Sequence, residues 1–175
     1  MKRRVFVLSG SLGLATLAFS GGRQGKPETT ITAFKDPTCN CCNGWIEHLK
    51  TNGFQVIAQE LNSSELRELK EKYRVPPDLQ SCHTGIVDGY VIEGHVPAAQ
   101  IQRLLKEHPK AVGLAVPGMP QGSPGMEGGR IENYSVLLFD STGQSSVYRQ
   151  YLEPGQEPCS AIQNLVVRNA EGRTG

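Results

Sequence analysis

Apolar positions recur at two periods along this chain, and the switches between them mark out its elements. Thr29 to Phe34 is a short β-branched run that reads as a first strand. Trp45, Ile46 and Leu49 then recur at helical spacing, in a segment that begins near Gly44 and stops at Asn52-Gly53, a common C-terminal helix stop. Phe54 to Ala58 returns to strand character, so residues 30 to 59 predict a βαβ unit. Asn62 and Glu65 have the form of an N-cap and its reciprocal partner. Leu66, Leu69 and Tyr73 give the helix that follows one apolar face, and Val75-Pro76-Pro77 ends it.

Thr84 to Val87 and Tyr90 to Glu93 flank Asp88-Gly89, a strong signal for a two-residue hairpin. Pairing Val87 with Tyr90 sets Cys82 opposite His95, with Cβ atoms about 5 Å apart on one face. His83, by alternation, is expected to point the other way. Pro97 suits the first turn of a helix whose buried stripe is Ile101, Leu104 and Leu105 and whose stop is Pro109. Val116 to Met126 reads as a Pro/Gly-rich loop in which Pro-Gly-Met occurs twice, ending at Met119 and Met126. A last hairpin is expected from Ser135 to Asp140 and Ser145 to Leu152.

The ends differ from this middle. Lys2-Arg3-Arg4, the apolar run Val5 to Phe19 and the exit Ala18-Phe19-Ser20 predict a secretory signal peptide over residues 1–20. The run is shorter than the roughly 20 residues needed to span a bilayer, so no stable membrane insertion is expected once it is removed. Arg3-Arg4-Val5-Phe6 also resembles a twin-arginine signal, and either export route leads to the periplasm, where disulfides persist. Residues 21–28 read as a linker, 29–152 as one domain and 153–175 as a polar tail. The formal net charge of +1 over 175 residues offers nucleic acid or an anionic membrane no electrostatic footprint.

Cysteine is where the chemistry concentrates. Cys39-Asn40-Cys41-Cys42 puts three of the five cysteines into four residues, at the mouth of the first helix. Adjacent Cys41 and Cys42 cannot both follow one packing period, and helix N-H groups favour thiolate there. Neighbouring thiolates repel, and either a disulfide with one spare thiol or a soft metal cation relieves the repulsion. Copper(I) suits the cluster better than zinc does, because adjacent thiolates can bridge soft ions and no second CxxC completes a zinc site. Histidine in place of that second pair keeps a zinc-stapled interaction domain open as an alternative. Cys39 and Cys42 also have the spacing of a thiol-disulfide oxidoreductase, with Cys39 attacking and Cys42 resolving. Taken singly, Cys82 could be an inert buried thiol, Met119 and Met126 hydrophobic plugs, and Cys159 a free or partner-linked thiol. His48 and His108 fall on predicted helices and read most simply as solvated.

Strand, cysteine turn, helix, strand, helix, hairpin and helix resembles a thioredoxin-like domain, here with an added Pro/Gly/Met loop and a C-terminal β-hairpin. Closer still is a resemblance to the CopG-type periplasmic copper-resistance family, formerly a domain of unknown function. It rests on Lys35 with Cys39-Asn40-Cys41-Cys42 and Trp45, on Ser81-Cys82-His83-Thr84, and on Glu93-Gly94-His95-Val96-Pro97-Ala98. It continues in Gly113-Leu114-Ala115-Val116-Pro117-Gly118-Met119-Pro120 and Gly125-Met126-Glu127, so that it covers roughly residues 30 to 150. The resemblance implies copper held in a cysteine-bridged cluster, with Cys39, Cys41, Cys42 and Cys82 as thiolates and His95, His83, Met119 and Met126 as additional donors. It implies copper ions, and another periplasmic copper-handling protein, as partners. It does not by itself imply an enzyme.

Overall fold

Strand β1 (Thr29–Lys35) leads through the Asp36-Pro37-Thr38 turn into helix α1 (Asn40–Thr51), and strand β2 (Phe54–Glu60) returns parallel to β1. This is the expected βαβ unit, in a computed structural model that describes residues 29–154. The predicted leader and linker, and the tail from residue 155 with Cys159, lie outside the described residues. Helix α2 (Ser63–Lys72) opens on the expected capping box: the Asn62 side chain accepts the Ser64 and Glu65 N-H groups, and Glu65 accepts the Asn62 N-H. Strands β3 (His83–Val87) and β4 (Tyr90–Glu93), helix α3 (Ala98–Glu107), and strands β5 (Gly113–Ala115), β6 (Tyr134–Phe139) and β7 (Ser145–Tyr151) complete the described chain. The result is a mixed α/β domain on one seven-stranded sheet, in the order β2-β1-β3-β4-β5-β6-β7.

The predicted hairpin register holds. Val87 pairs with Tyr90 and Thr84 with Glu93 around Asp88 and Gly89, both at positive φ. The last hairpin, β6 with β7, also forms where expected. Two elements differ. Helix α1 starts at Asn40 rather than near Gly44, so Cys41 and Cys42 sit inside its first turn and Cys39 is its N-cap residue. Strand β5 went unforeseen because three residues are too few to show a period; it pairs parallel with β4 and carries the chain back beside the hairpin.

The two faces of the sheet are covered by different helices. A Cβ placed on Gly85 of β3 would meet Trp45 of α1 at 3.1 Å and Ile31 of β1 at 3.3 Å. On this face Trp45, Ile46 and Leu49 pack with Ala98, Ile101 and Leu104 of α3 to form the main core. Thr84, next to Gly85 and therefore on the opposite face, contacts Lys70 of α2. The sheet thus ends at a corner where α1 begins beside the open end of the β3–β4 hairpin, away from its Asp88-Gly89 turn.

Candidate metal centre

The cysteine turn is built by local bonding. Asp36 accepts the Thr38 N-H at 2.9 Å and the Thr38 hydroxyl at 2.6 Å, bonds that hold its carboxyl below the usual carboxylate range. Its carbonyl accepts the Cys39 N-H at 3.1 Å. No side-chain hydrogen bond caps the start of α1, so the positive end of the helix is left to the turn that carries these sulfurs.

Four sulfurs meet at this corner. Those of Cys39, Cys41, Cys42 and Cys82 all lie within 4.8 Å of one another. Cys39 and Cys42 are joined as a disulfide, while Cys41 and Cys82 are free thiols. Both solutions to thiolate crowding, the bridge and the metal-sized cluster, are therefore present in one arrangement. Cys41 Sγ stands 3.5 Å from Cys39 Sγ and 4.0 Å from the sulfur of Met119. Cys42 is fully buried, and Cys39 and Cys41 are partly exposed.

Cys82 connects this turn to two imidazoles. Its sulfur is 3.2 Å from His95 Nε2, as the hairpin register predicted, and also 3.2 Å from His83 Nδ1. The second contact corrects the expectation that His83 points away. Alternation applies only inside a pleated strand, and β3 begins at His83, so Cys82 lies on non-pleated backbone that folds back beside its neighbour. His83 lies 4.3 Å from the Trp45 ring and 4.9 Å from His95, centroid to centroid.

The tautomer of His95 follows from its partner. Pro124 O can only accept, and it lies 2.8 Å from His95 Nδ1, so Nδ1 carries the proton and a bare Nε2 faces the thiol. A backbone carbonyl behind an imidazole is the usual orienting contact for a metal-binding histidine. Burial holds both imidazoles below the usual histidine range, His83 well below it with help from the charges of His95 and Lys70. Burial, then the charge of Cys41, pushes the Cys82 thiol up to about 12. At His83 the second nitrogen, Nε2, is buried with no hydrogen-bond partner among the described residues. The donor set of soft sulfurs with bare or unpartnered imidazole nitrogens fits a soft metal ion.

The 116–126 loop lies over this corner. Gly125 packs backbone to backbone on α1: a Cβ on Gly44 would come within 2.8 Å of the Gly125 Cα. Glu127 accepts the Gly125 N-H at 2.9 Å, which holds its carboxyl below the usual range. Met119, half exposed, forms the rim beside Cys41. Met126 is bonded within the loop, its N-H donating to Ser123 O and its carbonyl accepting from Gly122. His48, expected to be solvated, is half-buried and accepts the Ala98 N-H at 3.0 Å through Nε2, which caps α3. Lys70 escaped the sequence reading as a buried group, although Thr84 and Glu93, paired across one face, were a signal that a cation lay behind them.

Fold and donors together are those of a mixed α/β protein with a cysteine and histidine cluster fit for metal. The chain belongs to the CopG-type copper resistance family. It is 45% identical to a solved structure described as copper resistance protein CopG, form 2, covering 71% of this chain and 98% of that one with a TM-score of 0.66. It is 44% identical to form 1, covering 72% and 99% with a TM-score of 0.67. Residues 79–126 match the family model described as protein of unknown function, DUF411. No curated protein matches the chain. Among the described residues no helix is long and apolar enough to cross a membrane.

Proposed function

We propose that this is an exported, periplasmic copper-binding protein of copper resistance, which holds Cu(I) on the thiolates of Cys39, Cys41, Cys42 and Cys82. His95 and His83 complete the inner side of the site, and Met119, with Met126 in the same loop, serves the outer side, where a second copper-handling protein would deliver or collect the ion. The observation that carries this reading is the convergence of four sulfurs within 4.8 Å, one of them facing two imidazoles. The similar structures named for copper resistance support it, and the leader-like sequence of residues 1–20 supports export. The βαβ unit followed by hairpin and helix supports a thioredoxin-like ancestry for the domain.

Four-thiolate loading requires the Cys39–Cys42 bond to be opened. A two-electron reductant cleaves it with uptake of two protons, and Cu(I) then displaces protons from the thiols. Anaerobic titration of the mature chain against a Cu(I) chelator is expected to give tight binding after reduction and clearly weaker binding while the disulfide stands. Equal binding in the two states would exclude the four-thiolate site.

The pH dependence has a definite sign. With its thiol pushed up to about 12, Cys82 is protonated in the metal-free protein at neutral pH and must release that proton to bind. That one group gives a tenfold rise in apparent Cu(I) affinity per pH unit between about pH 6 and 9, and the same loss on acidification. The imidazoles, held below the usual histidine range, release no further proton on binding at neutral pH and so leave this slope to the thiol. Chelator competition at several pH values checks the slope, and the fluorescence of Trp45, the only tryptophan, follows binding from 4.3 Å behind His83.

The disulfide favours a second reading, thiol-disulfide exchange. Partly exposed Cys39 and buried Cys42 have the exposures of an attacking and a resolving sulfur. Reduction of insulin disulfides together with the absence of Cu(I) binding would favour it over copper.

A further inference from the structure

Behind Cys82, on the sheet face away from Trp45, lies a buried polar cluster that metal binding leaves unused. Glu93 of β4 is completely buried, and Lys70 reaches it from α2 as an equally enclosed cation. Lys70 forms an ion pair with Glu93 Oε1 and donates to the Thr84 hydroxyl at 2.8 Å; that hydroxyl donates to Glu93 Oε2 at 2.7 Å. Glu93 Oε1 also accepts the backbone N-H of Ser81 at 2.6 Å. Three donors from three segments thus converge on one carboxylate.

Stability does not explain the arrangement. A buried ion pair is commonly no better than apolar residues of the same volume, because desolvation offsets the attraction. What the pair adds is direction, and the direction runs to Ser81. This residue immediately precedes Cys82, and its hydroxyl donates to Gly118 O at 2.5 Å, beside Met119. It is also wedged against β4: Gly94 has φ +71°, and a Cβ there would lie 2.7 Å from the Ser81 side chain. Ser81 can be held so closely only because residue 94 carries no side chain.

We propose that Glu93 is a positioning residue for the copper site, fixing the Ser81 backbone and, through it, both the Cys82 thiol and the Met119 loop at their distances from the cysteine turn. Lys70 aims the carboxylate and opposes the upward push that burial gives it; neither residue touches the metal. The inference rests on the copper reading for its purpose, but its geometry can be tested without copper.

Two double variants separate position from stability. Lys70→Met with Glu93→Leu replaces the pair by apolar bulk and removes the acceptor for Ser81. Lys70→Met with Glu93→Gln removes the same charges but retains an acceptor oxygen. In the metal-free full chain with its disulfide intact, iodoacetamide alkylation of Cys82 relative to Cys41 is expected to rise about tenfold in the leucine variant, as the thiol leaves its half-buried seat. The glutamine variant is expected to stay near wild type. After reduction, Cu(I) affinity is expected to fall about 10- to 100-fold in the leucine variant alone, the usual cost of losing an outer-shell partner.

Glu93→Asp, which keeps the charge but withdraws the carboxylate by one methylene, is expected to behave like the leucine variant and serves if that variant does not fold. A folded leucine or aspartate variant with wild-type alkylation ratio, or equal changes in both double variants, overturns the proposal. Failure of the wild-type chain to bind Cu(I) would instead remove the copper reading, while the alkylation ratios still decide the positioning role.

Discussion

Cys82→Ser is expected to lower Cu(I) affinity at least on the order of hundredfold while leaving the fold intact. Cys82 is the one thiol of the cluster from outside the cysteine turn, and it alone lies 3.2 Å from both imidazoles. Without it, Cys39, Cys41 and Cys42 remain on one turn with no sulfur linking them to His83 and His95. If a four-ligand thiolate or imidazole site is worth roughly 10–16 kcal/mol, one ligand is worth about 3 kcal/mol, or about hundredfold. Serine is nearly isosteric, and the partly exposed site can hydrate the hydroxyl, so melting temperature should barely change. Chelator competition under reducing anaerobic conditions makes the comparison; wild-type affinity in the serine variant would remove Cys82 from the ligand set.

The second large effect is expected at a residue with no side chain. Gly125 has φ +85°, and a Cβ there would lie 2.6 Å from the Cys41 carbonyl oxygen and 2.6 Å from the Trp45 nitrogen. Both atoms are backbone within α1, so neither can turn aside. Gly125→Ala therefore combines a left-handed backbone cost of about 1–2 kcal/mol with overpacking of about 1–3 kcal/mol, and the loop is expected to leave the helix. Pro124 then releases His95, and Met119 moves away from Cys41. The variant should show faster proteolysis between residues 117 and 131 and weaker Cu(I) binding, with the sheet still folded by circular dichroism. An alanine variant as protease-resistant as wild type would show that the loop does not depend on this crossing.

The sequence carried the hairpin and its register because Asp88-Gly89 leaves little freedom, and that register alone brought His95 to Cys82. The capping box of α2 was readable for a similar reason, since Asn62 and Glu65 satisfy each other locally. What could not be read depends on distant backbone. Cys82 comes beside His83 because it precedes the strand and folds back, and no periodicity marks where pleating begins. Lys70 occupies a polar position of a surface-patterned helix, and only the paired Thr84 and Glu93 across the sheet explain its burial. The choice between disulfide and metal stayed open because four sulfurs within 4.8 Å satisfy the demands of both.

The site also bears on the order in which the chain folds. Cys42 and Cys82 are 40 residues apart, and Cys41 and Met119 are 78 apart. A strand pairing, a hairpin and a loop crossing must all be in place before these sulfurs share one corner. Such distant closures come late, since their entropy must be overcome before the contacts form. A chain that has not yet made these closures therefore presents scattered thiols, and a cooperative multi-sulfur grip on metal arises only in the finished domain. Bound copper should in turn slow unfolding, because opening any one of the three closures breaks the shared ligand set.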